Sequence, residues 1–296
     1  MIRRIALVVA VLGAVAPLCG QTPEQKQATV KFLQQLQAPD GGFAPVPQDS
    51  RVDQVPRGSL RATSSALRAL KYFGGKPLDL ASAAKFIHSC YDAKSGAFSD
   101  QPSGKPDVFS TAVGLMAVAE AGLPMKEYSP ACLEYLAKNA TEFEDIRIAA
   151  AGFETAKSQP AIGDRWRKDL LAKAHKDGTF GEGAAKPRAT GGTAVTILRL
   201  GGELAHADRI LETLNHGQNA DGGWGKDDSG ASDLETSYRV MRCYHMLKSK
   251  PKDVAKLRGF IASCRSDDGG YGVKPGQAAN VGGVYFAGII LHWLGE

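Results

Sequence analysis

Residues 218–238 read QNADGGWGKDDSGASDLETSY, and this stretch decides the fold. It opens with Gln218, Gly222 and Trp224 in a QxxxGxW arrangement. A polar loop follows, then a segment of short side chains, Asp233 to Ser237, that leads into a helical pattern. Glycine in the turn permits the positive φ with which a helix ends, and the aromatic residue packs under the loop.

The layout recurs along the chain. Asp40-Gly-Gly-Phe43, Ser95-Gly-Ala-Phe98, Asp177-Gly-Thr-Phe180 and Asp268-Gly-Gly-Tyr271 repeat the Asp221-Gly-Gly-Trp224 turn, with aromatic-to-aromatic gaps of 55, 82, 44 and 47. A recurrence of this length marks a repeat architecture. The gap of 82 is near two periods, and residues 142–157 (EFEDIRIAAAGFETAK) fit the copy whose turn is lost, so six units are expected.

Each unit reads as helix, turn, loop, helix. The first helices are amphipathic and are expected over 23–36, 78–89, 129–138, 162–174, 204–214 and 252–263. The second, over 60–73, 108–121, 146–156, 190–200, 234–247 and 281–294, are rich in Ala, Gly, Ser and Thr, as interior helices are. A two-helix unit cannot bury both faces alone, so neighbours must stack. Neither end carries a polar capping helix, and the last unit finishes on Ile289, Ile290, Leu291, Trp293 and Leu294. Closure into a ring is therefore expected rather than an open solenoid.

Bulk properties bound the function. Hydrophobic residues make up 43% and charged residues 23% of 296, as in a soluble globular chain. The formal charge of +5, which includes Arg3 and Arg4, comes with no basic run or basic–aromatic stripe, so no nucleic-acid partner is expected. Met1-Ile-Arg-Arg followed by the apolar run 5–15 and a small-residue site at Gly20 reads as a secretory leader over 1–20, too short to span a membrane. The expected location is therefore periplasmic or secreted, with a lipid-modified Cys19 as the alternative. Cys90, Cys132, Cys243 and Cys264 remain; spacing leaves their pairing open, and no CxxC suggests a structural zinc. Cys90 and Cys264 occupy equivalent places in two units and are expected to be small apolar residues at the inner ends of helices.

These repeats resemble those of the prenyltransferase and squalene-cyclase superfamily. The specific residues are Gln218-x3-Gly222-x-Trp224 and Gln37-x3-Gly41-x-Phe43, with Phe86-Ile-His-Ser-Cys90 and Phe260-Ile-Ala-Ser-Cys264 before their turns. The latter two look like the β subunits of protein geranylgeranyltransferases, as does Glu144-Asp145-Ile146-Arg147. The resemblance implies an all-α fold, an (α/α)6 toroid, as a single domain over 21–296. It also implies a catalytic zinc held by an Asp, a Cys two residues later and a His. Asp233 matches the Asp, but Glu235 stands at the Cys and Gly283 at the His, and the DxDD acid of the cyclases is missing. Zinc-thiolate chemistry is therefore not expected. Asp233 and Glu235 are the candidate catalytic residues, and as oxygen ligands they suit a hard divalent cation such as Mg2+ or Ca2+.

In such a toroid the N-terminal ends of the inner helices ring a cavity mouth, here placing Arg61, Asp107, Asp145, Arg147, Arg188, Asp233, Glu235 and Tyr238. Asp145, Arg147, Asp233, Glu235 and Tyr238 are the candidate ligand-binding set. Capping explains Asp107 and bears on Asp233, while Asp145 and Arg147 suit a structural charge network. The expected partner is an apolar or isoprenoid-like small molecule, or a protein, held without the zinc chemistry. An active prenyltransferase or cyclase is the alternative, and a polymer-cleaving lyase or hydrolase a weaker one.

Overall fold

The structure is a computed structural model that describes residues 20–48, 55 and 57–296. Of the leader only Gly20 falls inside these bounds, and Cys19 lies outside them. Among the described residues twelve α-helices alternate between an outer and an inner ring. The outer helices are α1 (Pro23–Gln35), α3 (Leu80–Ser89), α5 (Ser129–Asn139), α7 (Gly163–Leu171), α9 (Ala207–His216) and α11 (Val254–Ser263). The inner ones are α2 (Leu60–Tyr72), α4 (Val108–Glu120), α6 (Phe143–Thr155), α8 (Lys186–Arg199), α10 (Leu234–Met246) and α12 (Val281–Trp293).

Each inner helix packs on the next, and α12 packs back on α2, so the ring closes. Backbone and side-chain bonds lock that seam: Val281 N–H donates to Pro45 O at 3.0 Å, and Thr29 Oγ1–H to Gly269 O at 2.7 Å. The eroded sixth copy is present as α5 and α6, joined by a short link without the glycine turn. Among the described residues the one sheet is a two-stranded hairpin, β1 (Tyr91–Asp92) with β2 (Ala97–Phe98), around the Ser95-Gly96 turn.

The QxxxG motif has a physical role that reaches beyond its own turn. The Gln218 amide donates to Gly222 O (2.8 Å) and Asp253 O (3.0 Å), and its Oε1 accepts from Asp253 N–H (3.0 Å). Asp253 is the N-cap of α11, so the glutamine stitches each turn to the next outer helix. Gln37 makes the same three bonds to Gly41 and Asp79, the N-cap of α3. Gly222 has φ +96°, and a Cβ there would lie 2.2 Å from the backbone of Lys256, so no other residue fits.

A second regularity joins turn to inner helix. The backbone N–H of Phe43, Phe98, Phe180 and Trp224 donates to the hydroxyl of Thr63, Thr111, Thr190 and Ser237 respectively, at 2.9 to 3.1 Å. Small hydroxyl residues near the start of the inner helices thus satisfy buried turn amides that would otherwise be costly. Two inner helices start earlier than the sequence periodicity suggests: α6 at Phe143 and α8 at Lys186, the latter with Pro187 in its first turn, where proline's missing N–H costs nothing. Several outer helices are shorter than expected; α3 begins only at Leu80 because Asp79 caps it. All four described cysteines are free and buried, with Cys90 and Cys264 at the ends of α3 and α11.

Candidate functional site

The inner helices run parallel, so like ends meet around one cavity. At the N-terminal end Arg61 of α2 meets Asp107, the cap of α4, at 3.6 Å, and Arg188 of α8 meets Glu235 of α10 at 3.1 Å. At the other end Arg199 closes α8 and pairs with Glu154 of α6 at 2.9 Å, while Tyr72 of α2 stacks on His292 of α12. The enclosed cavity measures about 320 Å³, within the range of small-molecule sites. Phe109, Val113, Met116, Ile148, Ala151 and Phe286 supply apolar wall.

Polar groups in this cavity fall into two layers. Near the mouth the Glu144 carboxylate takes Arg239 at 2.8 Å and Arg147 at 2.9 Å, and Glu235 takes Arg239 at 2.9 Å besides Arg188. Partial burial disfavours the charge on Glu144, but Arg239 and Arg147 outweigh it and hold the carboxyl down at about 2. The same balance, against Arg239 and Arg188, keeps Glu235 below the usual carboxylate range. This layer is a salt-bridge lattice in which two carboxylates are shared by three arginines, and the buried Nε of Arg188 has no acceptor among the described residues.

Deeper in, Arg68 lies two helical turns below Arg61 on α2, and Arg242 two turns below Glu235 on α10, each about 10 Å further along the axis. Arg199, at the last turn of α8, joins them on the cavity wall. Arg242 sits over the rings of Trp293 (4.7 Å) and Tyr238 (5.5 Å) and donates to Tyr238 Oη at 3.3 Å, but no carboxylate meets it and its buried Nε has no acceptor among the described residues. Below, Trp293 stacks between Tyr238 and His245. Burial opposes ionisation of Tyr238, yet Arg242, Arg199 and Arg68 together pull its phenol below the ordinary tyrosine value. Its neighbour Tyr285, 3.5 Å away at Oη, is pushed up by burial and by Tyr238.

The structure divides the residues singled out in the sequence. Arg61, Arg147, Glu235 and Tyr238 line the cavity. Asp233 does not: it is 2% exposed, and its two carboxylate oxygens accept from Thr236 N–H (2.8 Å) and Thr236 Oγ1–H (2.9 Å) as the cap of α10. Asp107 caps α4 through Ser110 in the same way. Asp145 stays off the cavity wall, and the carboxylate of the expected Arg147 network is Glu144 instead. With Asp233 committed to Thr236 and Glu235 to two arginines, this pair does not fit a hard cation. No cluster of three or more His, Cys, Asp or Glu side chains suited to a metal lies among the described residues. At Gly283 a Cβ would lie 2.2 Å from Tyr271 O, so the place of the family's zinc histidine has no room for a side chain.

Sequence reading missed Arg68, Arg199, Arg239, Arg242 and Tyr285. The available signal was helical spacing: Glu235, Tyr238, Arg239 and Arg242 form one stripe of α10, as Arg61, Ser64, Ser65 and Arg68 do on α2.

Known proteins place this ring among its relatives. Candida albicans protein geranylgeranyltransferase-I, solved in complex with GGPP, superposes with TM-score 0.67 at 13% identity, covering 79% of this chain and 84% of that one. A variant of the type II terpene cyclase MstE from Scytonema, bound to its product merosterolic acid A, gives TM-score 0.58 at 12% identity over 92% and 95% of the two chains. At such identities the likeness is one of fold. Drimenyl diphosphate synthase of Streptomyces showdoensis is 32% identical over 114 residues, which is 34% of this chain and 21% of that protein, so the match spans about a fifth of the relative's length. The family model of the prenyltransferase alpha-alpha toroid domain matches residues 3–81, 66–133 and 148–296, and with a closed double ring of helices behind that match the chain belongs to this family.

Proposed function

We propose that this chain is an exported toroid that holds an apolar, isoprenoid-like small molecule in its central cavity without zinc-thiolate chemistry. One observation carries the reading: the ring encloses a cavity of about 320 Å³ walled by Phe109, Val113, Met116, Ile148 and Phe286, while the positions expected to bind zinc are otherwise occupied. Asp233 is a helix cap, Glu235 is ion-paired twice, and Gly283 faces a backbone carbonyl. The named relatives support the ligand class, since they are solved with GGPP and with a terpenoid product. Cleavage of a polymer gains no support from the cavity carboxylates, because Glu154 and Glu235 are both paired with arginine and Glu235 is held in its charged form. A general acid needs the opposite shift.

The proposed location rests on the basic start, apolar run and small-residue site over residues 1–20. Among the described residues no helix is long and apolar enough to cross a membrane. The direct test is to purify the protein from its native host, extract it with organic solvent, and measure bound metal and small molecules by mass spectrometry. A stoichiometric apolar compound without zinc, on a chain beginning near Gln21, supports the reading. Stoichiometric zinc, with transfer of a prenyl group to a thiol, would overturn it.

A further inference from the structure

We infer that the Gly20–Gln21 peptide bond is a processing site whose product is built into the fold: the α-ammonium group freed on Gln21 pairs with the Glu296 carboxylate and completes the seam of the ring. This rests on the exported reading above and adds to it the position of the cut and a role for the new terminus.

The first ground is a seat already in place around Gln21. Its backbone N–H donates to Glu296 Oε2 at 3.2 Å, and its side-chain amide donates to the hydroxyl of the buried Tyr271. The Glu296 side chain is only 9% exposed, and Arg258 of α11 holds its other oxygen, Oε1, at 2.7 Å. Among the described residues Oε2 has no hydrogen-bond donor besides the Gln21 nitrogen.

The second ground is what a cut does at that nitrogen. Gly20 is exposed and ends the small-residue site of the leader. Hydrolysis by a leader peptidase consumes one water. The hydroxyl goes to the Gly20 carbonyl carbon, and the C–N bond breaks with its electrons on Gln21 N, which takes the proton. The new carboxylic acid then passes its own proton to the amine, leaving a carboxylate on Gly20 and an ammonium on Gln21. A neutral amide donor thus becomes a charged one beside a carboxylate, and charge-assisted hydrogen bonds are roughly twice as strong as neutral ones.

The third ground is place. Gln21 precedes Thr22, the cap of α1, and α1 lies against the last repeat. Thr29 Oγ1–H donates to Gly269 O at 2.7 Å, and Arg265 Nη2 donates to Gln25 O at 3.3 Å. Arg258 also donates to Leu294 O, at 3.3 Å, just past α12. The pair therefore joins the first outer helix to the last helix pair, and the ring gains it only after the leader is removed. Around the new terminus Arg258 and Arg265 are the cations, Glu296 is the anion, and burial pushes the Tyr271 phenol up, so that it stays neutral.

The test uses the protein purified from its native host after export. Intact mass reads the cut, and acetic anhydride labelling across pH reads the titration of the terminal amine. The expected chain begins at Gln21, with an amine that titrates above the ordinary α-amino value of about 8. Because the folded value is raised, the stability the pair adds is full below about pH 8 and fades as pH rises through the folded value. Glu296→Gln should speed labelling at neutral pH by about 10-fold, the equivalent of one pKa. Arg258→Met removes the competing cation and should slow it. Faster labelling in both variants would mark a loosened seam and overturn the pair. An amine titrating at about 8 or below, unmoved by Glu296→Gln, would overturn the pair and leave the exported reading standing. So would a Gln21 cyclised with loss of ammonia, because the lactam carries no charge. A chain beginning at any other residue, a lipid-modified Cys19 included, would overturn the processing site. Retention of Met1 would overturn the exported reading with it, and none of these outcomes bears on the cavity.

Discussion

Replacing Arg242 by methionine should raise the stability of the ligand-free protein. Arg242 is partly buried on the cavity wall, and full burial of a guanidinium, the upper limit here, costs several kcal/mol even after relaxation. Against that stand two ring contacts, at 4.7 and 5.5 Å, and one hydrogen bond of 3.3 Å to Tyr238. These contribute roughly 1 kcal/mol each. Arg68 and Arg199 add repulsion from the same cavity wall, although burial and that repulsion are outweighed by Tyr238 and Tyr285, which hold the Arg242 guanidinium charged. Methionine keeps most of the apolar stem and strands no carboxylate, because none meets Arg242 among the described residues. The expected gain is about 1–2 kcal/mol, or roughly 2–6 °C in Tm for a domain of this size. Scanning calorimetry in the absence of ligand reads it directly. Arg199→Met is the control and should lower Tm, since it strands Glu154, which Arg199 meets at 2.9 Å. A fall of several degrees for Arg242→Met would show that Arg242 is a structural clamp on Trp293 and Tyr238 and would refute this reasoning.

Three further outcomes follow from the same contacts, and a fourth from a close approach. Gln218→Ala removes three hydrogen bonds that join one repeat to the next and should cost about 2–3 kcal/mol in urea unfolding; Gln37→Ala should match it. Asp233→Ala should cost about 1–2 kcal/mol as a lost cap, whereas Glu235→Ala, at a half-exposed ion pair, should shift Tm little. Tyr238 should give a tyrosinate absorbance at a lower pH than ordinary tyrosine, absent in Tyr238→Phe and moved upward in Arg242→Met. Since its folded pKa is depressed, its contribution to stability is absent at low pH and grows as pH rises past that value, by about 1.4 kcal/mol per pH unit. Cysteines pushed up to about 12 by burial oppose it only above roughly pH 8.5, so the slope is cleanest near neutrality. Rebuilding zinc ligands with Glu235→Cys and Gly283→His should yield no stoichiometric zinc by metal analysis, because a side chain at 283 meets Tyr271 O.

The fold was legible because its information is local and repeated. A glycine that must take φ near +90° and an aromatic residue that must go under the turn leave a spacing that survives wide divergence of the rest. Even the copy without a turn could be placed, since α6 keeps the small residues Ala149, Ala150 and Gly152 that let inner helices approach. The reason for the glutamine was not legible. Its partners, Asp79 and Asp253, lie in the following repeat, and nothing in one unit announces that bond.

The site was harder for a related reason. Capping and ligand binding call on the same residue types at the same end of a helix, so Asp233 could be either until its oxygens were seen on Thr236. Residues near helix starts drew notice because a family motif sits there, whereas Arg68, Arg199 and Arg242 sit two or three turns further on, beyond any motif. In one dimension each is one of two or three basic residues in a helix of mostly small and apolar neighbours, which usually means a surface position. Only closure of the ring turns three such faces toward one another. Arg242 is therefore distinguished by what it lacks: Arg199, Arg68 and the arginines at the mouth each have a carboxylate within about 3 to 4 Å, and Arg242 has none among the described residues. A missing partner cannot be read from residue spacing, yet within a closed cavity it is the feature that points most directly at a ligand.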